Sequence, residues 1–111
     1  MYPPALTLVR RPSENYPVGD TGITIPTNSM VIVPVYSLHR DPENFPDPEV
    51  FKPERFFPEN RIHHPYSYLP FGSGPRNCLA MRLALMEVKL ALIHAVYHYK
   101  FSVAPKTQVF N

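Results

Sequence analysis

Fourteen of the fifteen prolines in this 111-residue chain fall before residue 76, and that asymmetry limits the fold more than any other feature. Each proline removes a backbone donor and resists both a helix interior and a central strand. The front of the chain is therefore expected to be an irregular, loop-rich wrapper, and only the stretch after Pro75 is free to form a long helix. Residues 79–99 have the pattern for one. Leu79, Leu83, Met86, Leu90, Ile93 and Tyr97 recur at helical spacing, while Ala80, Ala84, Leu85, Ala91 and Leu92 fill other faces. A helix that is apolar almost all round is expected to be buried.

Within the front part, the turn-like Tyr2-Pro3-Pro4 leads into a β-leaning Ala5 to Val9. Tyr16 to Val18, the turn Gly19-Asp20-Thr21-Gly22, Ile23 to Ile25, the turn Pro26 to Ser29, and Met30 to Tyr36 read as a two-turn β unit. Pro34 demotes the last of these strands to an edge or bulged one. From Ser37 to Pro70 the chain is a meander, with a single helical turn expected after Asp41-Pro42, where Asp41 caps and Pro42 takes the first helical position. Phe45, Phe51, Phe56, Phe57, Tyr66 and Tyr68 punctuate that meander, and they order it only if they find an apolar floor. The organisation expected is thus a β lobe over 1–36, a meander over 37–70, a loop over 71–80, a buried helix over 79–99 and the start of a β segment over 100–111, with Thr107 to Phe110 opening a strand.

The chemistry concentrates in the loop Phe-Gly-Ser-Gly-Pro-Arg-Asn-Cys-Leu-Ala, Phe71 to Ala80. Cys78 is the only cysteine, so neither an internal disulfide nor a multi-cysteine zinc site is open to it. Gly72 and Gly74 stand where a backbone turns tightly or lets a ligand come close. A sulfur at a loop-to-helix junction has the partial positive charge of the helix beside it, which favours an anionic metal-binding form. Taken alone, a single cysteine in apolar company is a buried small hydrophobe; it is the surrounding spacing that argues otherwise.

Other features are less specific. The net charge of +2, with scattered basic residues, is too small to imply nucleic acid. Arg82, Glu87 and Lys89 interrupt the best apolar run, so no membrane span is expected, and Met1-Tyr2-Pro3-Pro4 is no signal peptide. His63 and His64 lack a cysteine or carboxylate partner at ligand spacing and read as solvated. His94 and His98 share a helical face without the glutamate of a His-Glu-x-x-His site and read as bland.

The spacing Phe71, Gly74, Arg76, Cys78 resembles the heme-binding loop of the cytochrome P-450 monooxygenases, in which the cysteine is the axial thiolate ligand of heme iron (iron protoporphyrin IX). Phe51-Lys52-Pro53-Glu54-Arg55-Phe56 looks like that family's Pro-Glu-Arg-Phe motif. His39-Arg40-Asp41-Pro42 looks like its His-Arg-Asp-Pro segment. One position departs, Ala80, which is usually glycine. The resemblance implies a mixed, mainly α fold with a small β lobe, of which this chain is a C-terminal portion. It implies heme as cofactor, with Cys78 as ligand, Arg76 and Arg10 on the propionates, and Phe71, Gly72, Gly74 and Ala80 around the porphyrin. It gives Glu54, Arg55 and His39 structural roles and places Ala5, Leu6, Thr7 and Leu8 in a substrate pocket.

The family's Glu-x-x-Arg motif falls just ahead of Met1, so Arg55 is expected to lack its charge-assisted partners here. The branch most similar is the microsomal one that oxidises steroids, drugs and other xenobiotics and also contains thromboxane synthase. It implies one-oxygen insertion into a small lipophilic substrate, electrons from an NADPH-dependent flavoprotein reductase, and the cytoplasmic face of the endoplasmic reticulum, reached through an N-terminal anchor that this chain lacks. Arg82 and Lys89 are expected to help the reductase dock. The isolated chain is expected to be inactive. Three alternatives accompany this reading: a heme-thiolate isomerase, a truncated non-enzymatic product, and a proline-rich interaction segment, against which the scattered prolines argue.

Overall fold

The computed structural model describes residues 2–107. The chain divides into two compact units, one running to Pro70 and the other starting at Phe71.

The first unit is built from four short strands, one helical turn and a coiled meander. β1 (Leu8–Arg10) pairs antiparallel with β4 (Val31–Val33), setting Leu8 opposite Val33 and Arg10 opposite Val31. Between them, β2 (Tyr16–Pro17) pairs with β3 (Thr24–Ile25) around a 3-10 turn at Gly19–Thr21. Gly19 and Gly22 take positive φ there, at 47° and 73°, which only glycine adopts without steric cost. The strand expected to reach Tyr36 ends at Val33. Pro34 has no N–H to continue the ladder and instead leads into α1 (Val35–Leu38). At Asp41 the expected single turn is present: its carbonyl accepts from Asn44 and Phe45 N–H at 3.2 and 2.8 Å, and its carboxylate accepts from Glu43 N–H at 3.1 Å.

The core of this unit lies in the meander. Val35, Phe45 and Leu69 are its buried apolar side chains, with His39 and Ser67 buried beside them. Both polar members are satisfied, as burial demands. Ser67 Oγ donates to Asn44 Oδ1 at 2.6 Å, and His39 Nε2 accepts from Leu69 N–H at 2.9 Å. The floor the aromatics require is in part their own. His63 stacks on Phe45 at 4.8 Å, Phe56 meets Tyr68 at 4.7 Å, and His39 lies 5.1 Å from Tyr68. His63 is therefore packed and half-buried, not solvated as its sequence context suggested. Phe51, Phe57 and Tyr66 find no such floor and stay exposed.

The second unit is the cysteine loop, one long helix and a tail. α2 runs Met81–His98, two residues inside the expected start, because Leu79 and Ala80 form a turn. The burial expected for it is not found: no residue of α2 is buried, and Leu90, Ile93 and Val96 are each about 60% exposed or more. The all-round apolar pattern is there, and its faces stand exposed. Among the described residues no strand follows Tyr99. The tail turns at Pro105-Lys106, with Thr107 and Ala104 exchanging two 2.9 Å bonds. The strand expected at Thr107 to Phe110 lies outside the described residues beyond Thr107.

Candidate functional site

The loop before α2 is closed by its own backbone. Cys78 N–H donates to the Phe71 carbonyl at 2.8 Å, so the two ends of the motif are tied together. Between them Gly72 and Gly74 hold φ of 73° and 76°, values that an L side chain rarely adopts. A 3-10 turn follows at Gly74–Arg76, opened by Pro75 and closed by Asn77 N–H on the Gly74 carbonyl at 3.1 Å. The chain then enters α2, whose Ala80 N-cap supplies no side-chain acceptor. A helix start without a side-chain cap leaves N–H groups unpaired and carries partial positive charge. Cys78 stands three residues before it as a free, exposed thiol.

This arrangement restricts what Cys78 can hold. No group of three or more His, Cys, Asp or Glu side chains gathers at metal-binding distance among the described residues. One thiol supplies one ligand, so the metal it suits is one that arrives with its remaining ligands attached. A porphyrin iron meets that description. The surroundings agree: a Cβ at Gly74 would meet nothing within 4 Å, and Leu79 beside the sulfur is fully exposed and apolar. The residues present thus fit a large, flat, largely apolar group bound over the loop.

The other residues singled out in the sequence are distributed as follows. Phe71 and Gly72 are half-buried, while Arg76 and Ala80 are exposed in the same loop. Arg10, Ala5, Leu6, Thr7 and Leu8 belong to the first unit; Arg10 Nη1 bonds the Val9 carbonyl at 2.8 Å and Leu6 is exposed. Glu54 and Arg55 lie in a 3-10 turn, Pro53–Phe56. Arg55 does not go without partners. Its guanidinium donates to the carbonyls of Pro46 at 2.6 Å, Asp47 at 2.9 Å, Val50 at 3.0 Å and Lys52 at 3.2 Å. Asp47 is held at φ 51°, the one positive-φ residue other than glycine among the described residues, and offers its carbonyl to that latch.

Arg40 figures in the sequence reading only as a member of His39-Arg40-Asp41-Pro42, with no role of its own. Its guanidinium lies 4.9 Å from the Tyr2 ring centre and 4.7 Å from that of Tyr36, and it forms an ion pair with Glu49. Tyr36 is only four positions earlier, but no local pattern links Arg40 to Tyr2 or Glu49. His94 and His98 do come together, with ring centres 4.4 Å apart on exposed faces of α2.

Two imidazoles have their pKa lowered. Burial lowers that of His39, and burial followed by the nearby Arg61 charge lowers that of His63. Burial raises the Tyr68 phenol. Among the described residues no helix is long and apolar enough to cross a membrane.

Comparison with known proteins extends the loop's likeness to the whole chain. The sequence matches the family model described as Cytochrome P-450 over residues 1–111. It is 53% identical over 89 residues to cytochrome P-450 3A56 of Fundulus heteroclitus, covering 79% of this chain and 18% of that protein. It is 48% identical to cytochrome P-450 3A40 of Oryzias latipes over 110 residues, 98% of this chain and 22% of the relative. Thromboxane-A synthase of Macaca fascicularis is 46% identical over 110 residues, 98% of this chain and 20% of the enzyme. The chain spans about a fifth of the length of these relatives.

Proposed function

This chain belongs to the cytochrome P-450 family, and from that premise we propose that residues 71–80 form the loop that ligates heme iron through Cys78. The observation that carries the reading is a free, exposed thiol in a loop closed by the bond from Cys78 N–H to the Phe71 carbonyl. When bound, heme supplies dioxygen activation and the transfer of one oxygen atom. This chain's residues hold and orient. Cys78 would hold the iron through its sulfur, and the loop's backbone fixes where that sulfur stands. Arg76 and Arg10 each pair with a propionate carboxylate by charge-assisted bonds. Phe71 packs beside the sulfur and helps keep water from it, and Gly72, Gly74 and Ala80 keep the approach clear of side chains. Ala5, Leu6, Thr7 and Leu8 line the pocket for a lipophilic steroid, lipid or xenobiotic. Glu54, Arg55 and His39 keep the meander in shape.

In the parent protein this segment serves a microsomal monooxygenase at the cytoplasmic face of the endoplasmic reticulum, supplied with electrons by an NADPH-dependent flavoprotein reductase. Arg82 and Lys89, exposed on one stripe of α2 with Leu85, Met86 and Leu90 beside them, give an acidic partner a place to dock. The 111-residue chain on its own turns nothing over.

The likeness to thromboxane-A synthase supports a second reading, a heme-thiolate isomerase that takes no electrons. The full-length protein carrying this segment, reduced under carbon monoxide, is expected to show the absorption band of thiolate-bound heme and to lose it in Cys78→Ala. A band that survives the substitution, or one absent from the wild type, overturns the assignment. Oxygen- and NADPH-dependent product formation then separates monooxygenase from isomerase. Turnover by the isolated chain with reductase and NADPH would overturn its expected inactivity.

A further inference from the structure

The loop that holds Cys78 begins two residues after Leu69, and Leu69 is where the first unit last grips the chain through a long-range hydrogen bond. Its N–H donates to Nε2 of His39, thirty positions earlier, at 2.9 Å. Accepting at Nε2 requires that nitrogen to be without a proton, which leaves the ring's proton on Nδ1. His39 is 1% exposed. The Phe45 ring meets it edge-on at 6.1 Å and Tyr68 lies 5.1 Å away. A shallow cleft lined by Tyr2, Pro3, Pro4, Tyr68 and Pro70 opens onto it.

We infer that His39 is a pH-sensitive anchor for the segment that leads into the Cys78 loop: as a neutral acceptor it holds the chain at Leu69, and on protonation it releases that hold. The inference rests on the reading of residues 71–80 as the iron-binding loop. An imidazolium has two N–H donors and no acceptor, so a protonated His39 turns a donor toward the Leu69 N–H. Neither group then has a protein partner, at a ring that is only 1% exposed, and the cheapest relief is local opening.

The surroundings support the direction. Burial already disfavours the charged ring. Tyr68, whose phenol is shifted up by burial, stays neutral through the range in question. His63, itself held low by burial, is stacked on Phe45, and Arg40 is held by Glu49. No carboxylate bonds the imidazole among the described residues, so nothing compensates the charge once it forms. In the opened state the ring returns to its ordinary value near 6.5. Opening therefore becomes easier as pH falls below that value.

The test is amide hydrogen exchange at Leu69 in this chain, corrected for intrinsic rates, at about pH 7.5 and about pH 5. Protection is expected to drop by about tenfold or more between them. His39→Gln keeps a side-chain acceptor that does not titrate, so Leu69 should be protected equally at both pH values, whereas His63→Gln should leave the wild-type dependence in place. Protection that is flat with pH in the wild type, or absent at both values, overturns the proposal. So does a pH dependence that persists in His39→Gln. A second readout is the thiolate-heme band of the full-length protein, which is expected to fade with acid in the wild type and less so in His39→Gln. If Cys78→Ala leaves that band unchanged, the heme assignment fails while the exchange result still decides the role of His39.

Discussion

Arg55 shows how a side chain picked out by a motif can reach its role by another route. Sequence reasoning expected it to lack the charge-assisted partners that the family's Glu-x-x-Arg motif supplies. Instead it spreads its donors over four carbonyls of residues 46–52. A planar fork does this and a compact ammonium does not. Arg55→Lys is accordingly expected to destabilise the first unit by about 1–3 kcal/mol, read as a lower urea midpoint by far-UV circular dichroism. His39 is the reverse case. The segment His39-Arg40-Asp41-Pro42 marked it as a hydrogen-bonding residue, yet nothing in the sequence names Leu69 as its partner, because a contact across thirty positions leaves no local trace.

At the scale of elements, legibility followed the range of the forces involved. Pro34 and the glycine turns act locally, so the β2–β3 unit and its turn were readable, and β4 to within the residues by which Pro34 shortened it, whereas the pairing of β4 with β1 was not. The spacing of Phe71, Gly74, Arg76 and Cys78 made the candidate loop readable too, while its closure by Cys78 N–H on the Phe71 carbonyl was not. The period of α2 was equally plain; its exposure was not, since an apolar pattern says that a helix wants cover and not where the cover comes from. α2 also has no acidic residue in its first turn and carries Arg82 there, against the helix dipole. Arg82→Glu should therefore stabilise the helix by about 0.3–1 kcal/mol, seen as higher helicity in circular dichroism. In the full-length protein the same change should slow reduction by an acidic partner and flatten its salt dependence. Faster or unchanged reduction would remove Arg82 from the docking surface.

For the whole molecule, two consequences follow from what is buried and what is not. His39 and His63 are both held below their ordinary pKa of 6.5. The unfolded chain therefore binds more protons than the folded one as pH drops below 6.5, so stability is complete above that value and declines beneath it toward the depressed folded values. Urea midpoints of the first unit measured across that interval should fall with acid, and His39→Gln should remove part of the slope. The second consequence concerns α2, whose Leu83, Met86, Leu90 and Ile93 remain exposed. Burying such side chains is worth about 1.5–3 kcal/mol each, so the isolated chain should bind an apolar dye strongly. Charged substitutions at Met86 and Leu90 should reduce that binding.

The Arg55 latch has one more consequence. Donor and acceptors all fall within ten residues of one another, so the meander carries its own fastening wherever it goes. Such a segment behaves as a cassette: chimeras that graft residues 46–56 between related chains should keep its shape, because no bolt is left behind in the donor.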